Sequence, residues 1–309
     1  MTVRRLLKRL ALAAPSLLLL SAITFLLGAA APGDPVEMRL GQHADPVTRQ
    51  RVRHEMGLDR PLAVQYLSYV AGAARGDFGQ SYITQRSVSD ILASGFPYTL
   101  TLAAWALILA VSAGLSLGIA AAIHQNRWID RVAMIVTLVG ISIPGFVLAP
   151  VLILLFALKL AWLPVAGWLG AKYVVMPAIV LAGRPAALLA RLTRAQMIEV
   201  LRQDYIRTAH AKGLSPARVL FGHALPNALP AVLTVIGTAF GYLLTGSFVV
   251  ETVFAVPGIG AQSIESIFRR DYPVIQATVL LAATGFIVVN LGVDLLQTLL
   301  DPRLRHEAT

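Results

Sequence analysis

Arg184 stands inside a long apolar stretch, VVMPAIVLAGRPAALLARL, where a charge is costly and usually faces a water-filled cavity or a partner chain. A guanidinium can bind a carboxylate through two parallel hydrogen bonds, so Arg184 is a candidate contact for a substrate that carries one. Two other interpretations stay open. Arg184 could pair with an acid on another chain, or the apolar stretch could begin later and leave the side chain near its aqueous end.

Asp294 is a second charged residue in an apolar stretch, NLGVDLLQTLLDP, one helical turn after Asn290. An acid inside a span would suit the proton relay of a secondary transporter. Such transporters usually have more spans and an internal repeat, and no strong repeat is visible here. We therefore interpret Asn290 and Asp294 as a polar pair that packs one helix against another.

The sequence offers no catalytic or metal centre. It contains no cysteine, and its six histidines are scattered, with no second histidine at the spacing of a helical metal pair. G-x-x-x-x-G-K-[ST] and H-E-x-x-H are absent, and the glycine-rich GIGAQS at 258–263 lacks the lysine of a phosphate-binding loop. We predict a non-catalytic chain with no metal or cofactor of its own.

A short basic segment, residues 194–223, interrupts the apolar stretches with five Lys and Arg residues. MIEVLRQDYIRTAHAK is compatible with a helix that ends at Gly213. SPARVLFGHAL starts again, with Ser215 as a possible N-cap and Pro216 at the first helical position. We call residues 204–218 the elbow: two short helices joined by a sharp turn, too small for a core of their own. Docking to a partner and contact with anionic lipid explain it equally well.

Composition places these residues in an all-α membrane protein. The 309-residue chain is 57% hydrophobic and 14% charged, whereas a soluble domain carries about 25% charged residues. Crossing a bilayer takes about 20 residues, and six stretches are long enough. The predicted spans are 10–30, 98–123, 132–160, 173–192, 228–250 and 274–300. A cleaved signal peptide is the alternative for the first, because the small residues of GAAAPGD follow it.

The charges on the connecting segments orient the spans. The N-terminus (1–9), the 124–131 link, the 194–223 segment and the tail (302–309) hold four, two, five and two Lys and Arg residues. Cytoplasmic segments carry such an excess, so we place these four, and both termini, in the cytoplasm. The same excess accounts for the net charge of +10 without a nucleic-acid partner.

The long segment 31–97 is predicted to be external, because its acidic and basic residues balance. Within it, PLAVQYLSYVAGAARGDFG places Leu62, Gln65, Tyr66, Tyr69 and Val70 at helical spacing. We predict an amphipathic helix that lies on the membrane lipid or on the protein.

RTAHAKG followed by HALPNALP resembles the coupling motif of the membrane subunits of ABC importers. The general motif is Glu-Ala-Ala, three residues, then Gly, with Leu-Pro downstream; here Arg207, Thr208 and Ala209 precede Gly213. Arg207 departs from the general Glu, and this departure resembles the peptide and nickel branch. Further segments similar to that branch are MGLDRPLAVQYL, RGDFGQSY, SIPGF, VETVFAVPGIG, RRDYPVIQ and DLLQTLLDPRLR.

The resemblance implies the B-type permease subunit of a type I ABC importer for dipeptides or oligopeptides, in the inner membrane of a prokaryote. Nickel or a nickel chelate is the alternative cargo, and a stand-alone secondary transporter is a more distant one. The implied partners are a homologous second permease, two ATPase subunits that bind ATP and Mg²⁺, and an extracytoplasmic substrate-binding protein. The implied ATPase-coupling residues are Asp204, Arg207, Thr208, Ala209, Lys212, Gly213, Leu214 and Ser215.

A substrate pathway and an outer gate are expected between the spans. Ser142 and Pro144 would loosen the third span beside the pathway or form a packing kink, and Arg184 is the candidate substrate contact. ETVFAVPGIG is similar to the family's outer gate region, where we expect architectural roles. The gate residues are Glu251, Pro257 and Gly258. RGDFGQSYITQRSV would dock the binding protein or cap the outer ends of the helices.

Overall fold

The computed structural model describes residues 3–31, 33–41 and 45–300, and these are almost entirely helical. In them, five helices are long and apolar enough to cross a membrane, and a bent pair of helices makes a sixth span. The predicted all-α fold with six spans is therefore confirmed. The helices are α1 (Val3–Ala30), α2 (Pro35–Leu40), α3 (Pro46–Glu55), α4 (Leu62–Ala73), α5 (Val88–Ile123), α6 (Trp128–Ser142), α7 (Gly145–Leu152), α8 (Ala171–Leu201), α9 (Asp204–Ala211), α10 (Pro216–Val219), α11 (Leu225–Gly246), α12 (Phe248–Val253), α13 (Ile259–Arg269) and α14 (Tyr272–Leu300).

Helix α5 begins at Val88, ten residues before the predicted start of the second span at residue 98. The helix passes through Pro97, which cannot donate a backbone hydrogen bond. Its first turns bury Val88 and Leu92 in a cluster with Ile259 and Val274. Packing against α13 and α14 therefore stabilises the helical turns of α5 that precede Pro97.

The third predicted span, 132–160, consists of two helices with a sharp bend between them. Helix α6 and the stretch Gly145–Lys159, which is α7 followed by a π-helix, meet at 103°. Ile143 between them is extended, as expected for a residue that precedes proline, and Pro144 has no N–H to donate to the preceding turn. From the sequence we expected either a loosened span or a packing kink at Ser142 and Pro144. The structure has a sharp corner between two separate helices.

Helices α5 and α8 form the centre of the bundle. Small residues let them approach closely: a Cβ on Gly118 would lie 2.6 Å from the carbonyl oxygen of Ala190. Leu102 and Leu189 are fully buried in the main core cluster. Helix α8 extends to Leu201, beyond the predicted end of the fourth span at 192 and into the basic segment.

The fifth span also begins earlier than the predicted residue 228. Helix α10, a π-helical turn at Leu220–Ala224 and α11 form one helix, Pro216–Gly246. The second arm of the elbow is therefore the start of this span.

The predicted amphipathic helix is present as α4, which packs on α1. The hydroxyl of Tyr66 lies 2.9 Å from Oγ of Ser21 and donates to the carbonyl oxygen of Leu18 at 3.0 Å. The Tyr66 and Tyr69 rings lie 5.5 and 6.0 Å from that of Phe25. One face of α4 therefore lies on the protein. Apolar residues elsewhere on α4 are exposed, namely Leu62, Val64 and Leu67.

Candidate functional site

The elbow has the predicted turn, with an additional break before it. Helix α8 ends at Leu201, and α9 begins at Asp204 after extended Gln203, so the continuous helix predicted up to 212 is interrupted. Gly213 has φ +77°, a left-handed conformation that favours glycine. Pro216 opens α10 as predicted, while Ser215 occupies the N-cap without a side-chain capping hydrogen bond.

The elbow is fastened to the bundle by an apolar underside. Ile206 and Ala209 are buried there, together with Val219, which follows the elbow directly. They form a cluster with side chains from α5, α8 and the start of α11. These partners are Ala122, Met197, Ala224 and Ala228. The elbow therefore has no core of its own, as predicted, and its buried side chains pack against three spans.

The opposite face of the elbow is polar and exposed. Arg207 forms an ion pair with Asp204, and the Thr208 hydroxyl donates to the carbonyl oxygen of Asp204 at 3.0 Å. Lys212 is exposed as well. Of the eight predicted coupling residues, six are exposed, whereas Ala209 is buried and Leu214 half-buried. The six are Asp204, Arg207, Thr208, Lys212, Gly213 and Ser215.

A buried ion pair holds the bundle beside the elbow. Asp130, 3% exposed, accepts hydrogen bonds from Nε and Nη2 of Arg194 at 2.6 and 2.7 Å. It also accepts the backbone N–H of Asn126, a residue with φ +63°, at 2.9 Å. The pair joins the first turn of α6 to α8 about two turns before α8 ends, and this two-point geometry is the strong form of such a contact.

Ser142, Pro144 and Arg184, the three candidate pathway residues, line one cavity of about 450 Å³. Its walls are the corner between α6 and α7, the middle of α8 and the end of α11. Helices α6 and α8 approach closely at its edge, where a Cβ on Gly140 would lie 3.3 Å from the carbonyl oxygen of Gly183. Irregular backbone at membrane depth is tolerated where it lines such a cavity.

Arg184 lies near the middle of α8, and its guanidinium carbon is 5.6 Å from the centre of the Tyr242 ring. This distance is typical of a cation–π contact. No carboxylate lies within ion-pair distance of Arg184 in the part of the chain that the structure describes. An acid on another chain and a position near the aqueous end of the span both stay open as interpretations of this residue.

The predicted gate region is organised around Glu251, which is fully buried. Its carboxylate accepts the Ser247 hydroxyl at 2.7 Å and the backbone N–H of Ala261, in the first turn of α13, at 3.1 Å. A Cβ on Gly258 would lie 2.4 Å from Oε2 of Glu251, so this position has room only for glycine. Pro257 is exposed.

The loop RGDFGQSY is clamped onto the start of α14. The carboxylate of Asp271, 3% exposed, accepts the Ser81 hydroxyl and the backbone N–H of Tyr82, the latter at 2.9 Å. Burial, with the charge of Asp271 as a smaller contribution, raises the pKa of the Tyr82 phenol to about 12. The contacts connect two of the segments that carry the family resemblance.

Sequence reasoning missed three residues at these sites. Tyr242 gives no signal in an apolar run, and Asp130 and Asp271 resemble ordinary loop acids until their partners are known. The Asp294 side chain and the tail 302–309 lie outside the described residues. The described residues contain no group of three or more His, Asp or Glu that could hold a metal ion.

The arrangement of spans, corner and elbow is the fold of ABC importer permeases. The structure of the MetNI methionine ABC transporter matches with a TM-score of 0.59 at 17% identity, over 68% of this chain and 96% of that chain. An amino acid ABC transporter crystallised with histidines matches with a TM-score of 0.51 at 22% identity, over 70% and 94%.

The chain belongs to the family described as binding-protein-dependent transport system inner membrane component, whose model matches residues 114–306. The N-terminal model of this type of membrane component matches residues 2–103. The chain is 43% identical over 300 residues to the glutathione transport system permease protein GsiC of Escherichia coli K12, covering 97% of this chain and 98% of the relative. The GsiC protein of Salmonella typhi is equally similar, over 301 residues. The protein is thus a multi-pass inner-membrane permease subunit of an ABC importer.

Proposed function

We propose that this chain forms, with a homologous second permease, the pathway of an importer of small peptides. Two ATPase subunits would bind ATP and Mg²⁺ and drive it, and an extracytoplasmic binding protein would deliver the substrate. Both termini and the elbow would be cytoplasmic, in line with the excess of Lys and Arg on those segments.

The elbow carries this proposal. Its exposed face is compact and carries both positive and negative charges. Its buried face packs against three spans. A partner that moves the elbow would therefore move the ends of those spans with it. Contact with anionic lipid accounts less well for the exposed Asp204, since an acid would weaken it.

Small peptides are the favoured cargo because the permeases at 43% identity are named for glutathione, which is a tripeptide. A nickel chelate is the second candidate, for which the binding protein would supply the metal selectivity. The longer peptides and dipeptides expected from the sequence remain in the same chemical class.

The test is reconstitution of the complex in proteoliposomes and measurement of ATP hydrolysis stimulated by the binding protein. The binding protein is loaded in turn with glutathione, a dipeptide, a longer peptide and a nickel chelate. We expect stimulation by one peptide class. Stimulation by the nickel chelate alone would replace the cargo, and failure of the ATPase subunits to bind this chain would overturn the proposal.

Two elbow variants sharpen the test. Gly213→Pro cannot adopt φ +77°, and Arg207→Glu reverses an exposed charge, so both should abolish transport while the chain still inserts. Arg269→Glu is the matched control, because Arg269 forms an exposed helix-local ion pair with Glu265 at the opposite end of the bundle. Gly222→Ala controls for loss of a glycine with open space around it.

A further inference from the structure

We infer that Arg184, oriented by Tyr242, is a specificity-determining contact for the free carboxylate of the transported peptide. This inference rests on the proposed importer function and names the chemical feature of the cargo that the cavity would recognise.

The charge of Arg184 is the first reason. An arginine in the middle of a spanning helix is costly unless it is paired or hydrated, and the described residues supply it with no carboxylate. Arg194 on the same helix shows what a satisfied arginine looks like in this protein, with two hydrogen bonds to Asp130. Arg184 lacks an equivalent anion.

The position of Arg184 is the second reason. The cavity it lines, of about 450 Å³, falls within the range of small-molecule sites, and the corner at Ser142 and Pro144 forms one wall. Tyr242 limits the positions of the guanidinium from one side, which leaves its N–H groups to meet a ligand in its own plane.

The shape of the guanidinium selects the ligand. Its N–H groups match the two oxygens of a carboxylate, and a carboxamide offers one acceptor oxygen and no charge. A peptide with a free C-terminus would therefore bind here better than the same peptide amidated at its C-terminus. A peptide with a second carboxylate, such as glutathione, offers a further choice of contact.

The chain contains no cysteine, which permits a direct test. In the reconstituted complex, Ser142→Cys places one thiol of this chain on the cavity wall, and its labelling rate with a maleimide is followed on the band of this chain. A dipeptide or its C-terminal amide is added without the binding protein, at concentrations raised to the solubility limit so that the cavity itself is occupied. We expect the acid to slow labelling and the amide to have no effect.

The Arg184→Gln variant completes the test. Protection by the acid should disappear, and uptake at saturating loaded binding protein should fall about tenfold or more, the loss expected for one charge-assisted hydrogen bond. Arg184→Lys should recover part of the uptake. Arg191→Gln, an exposed arginine farther along α8 that does not line the cavity, should behave as the parent.

Several outcomes would overturn the inference. They are equal protection by acid and amide, protection that survives Arg184→Gln, and no protection by either. Failure of the Arg184→Gln chain to assemble with the second permease would also overturn it, because it would assign the arginine to an acid of that partner. None of these affects the importer function, which fails separately if the parent complex shows no peptide-stimulated ATP hydrolysis.

Discussion

Arg194 and Arg184 lie on the same helix and have opposite surroundings. Arg194 meets a buried carboxylate through two hydrogen bonds near the elbow, and Arg184 meets an aromatic ring at the edge of an open cavity. The first charge holds the start of α6 against α8. The second has no carboxylate partner among the described residues, and this difference is what our inference about a ligand is based on. Pairing therefore separates an arginine that builds the bundle from one that is available to a ligand.

Asp130→Ala should strongly destabilise the protein, because it removes the anion of the Asp130–Arg194 pair. It leaves Arg194 without its anion, and removal of one partner from a buried pair costs about 3–5 kcal/mol, less here because the Arg194 side chain keeps 26% of its exposure. We expect a large fall in the thermal unfolding temperature in detergent. Asp130→Leu with Arg194→Met should recover much of it, and a double variant as unstable as the single one would contradict the assignment.

Arg184→Gln should leave the free energy of unfolding nearly unchanged, because Arg184 has no buried ion pair to lose. A cation–π contact at an exposed site contributes about 0.5–1 kcal/mol. The same unfolding measurement should give a small shift for this variant beside the large one for Asp130→Ala. Comparable shifts for the two would show that Arg184 is also structural.

The alkaline range offers a further comparison, with Tyr82 packed against Asp271. Because the folded pKa is about 12 and the unfolded value is about 10, the neutral phenol stabilises the fold below pH 10, and this stabilisation is lost as pH rises towards 12. The loss is at most about 1.4 kcal/mol per pH unit. Tyr82→Phe should therefore reduce the decline in unfolding temperature from pH 9.5 to 11, while Tyr205→Phe, at an exposed site, should not.

Arg207→Ala should have the smallest effect on stability. Its pair with Asp204 is exposed on both sides, and such helix-local pairs contribute about 0.3–0.5 kcal/mol. An unfolding temperature close to that of the parent, together with lost transport, would assign the residue to a partner surface. A large fall in unfolding temperature would instead make Arg207 part of the bundle.

The sequence predicted six spans and the elbow because hydropathy and the Gly213 and Pro216 signals are local. It did not predict that α5 begins at Val88, since that depends on contacts with Ile259 and Val274, far along the chain. The pathway residues Ser142, Pro144 and Arg184 were grouped from the sequence without knowledge of their distances from one another. Only the fold brings them together beside Tyr242, because α6, α8 and α11 meet there. Proline marked the third span, but the size of the bend at Pro144 depends on how α6 and α7 pack.

The helix that starts in the elbow at Pro216 continues to Gly246. At 1.5 Å per residue it is a rod about 45 Å long. The second arm of the elbow is the first part of this helix, whereas α8 meets the elbow through the extended residue Gln203. A force on the elbow would therefore act directly on this helix. The Asp130–Arg194 pair would meanwhile hold α8 against α6. Tyr242 lies near the far tip of the rod, and Ser247, which holds Glu251, follows directly. Movement of this one helix would thus connect a displacement of the elbow with both the cavity and the predicted gate region.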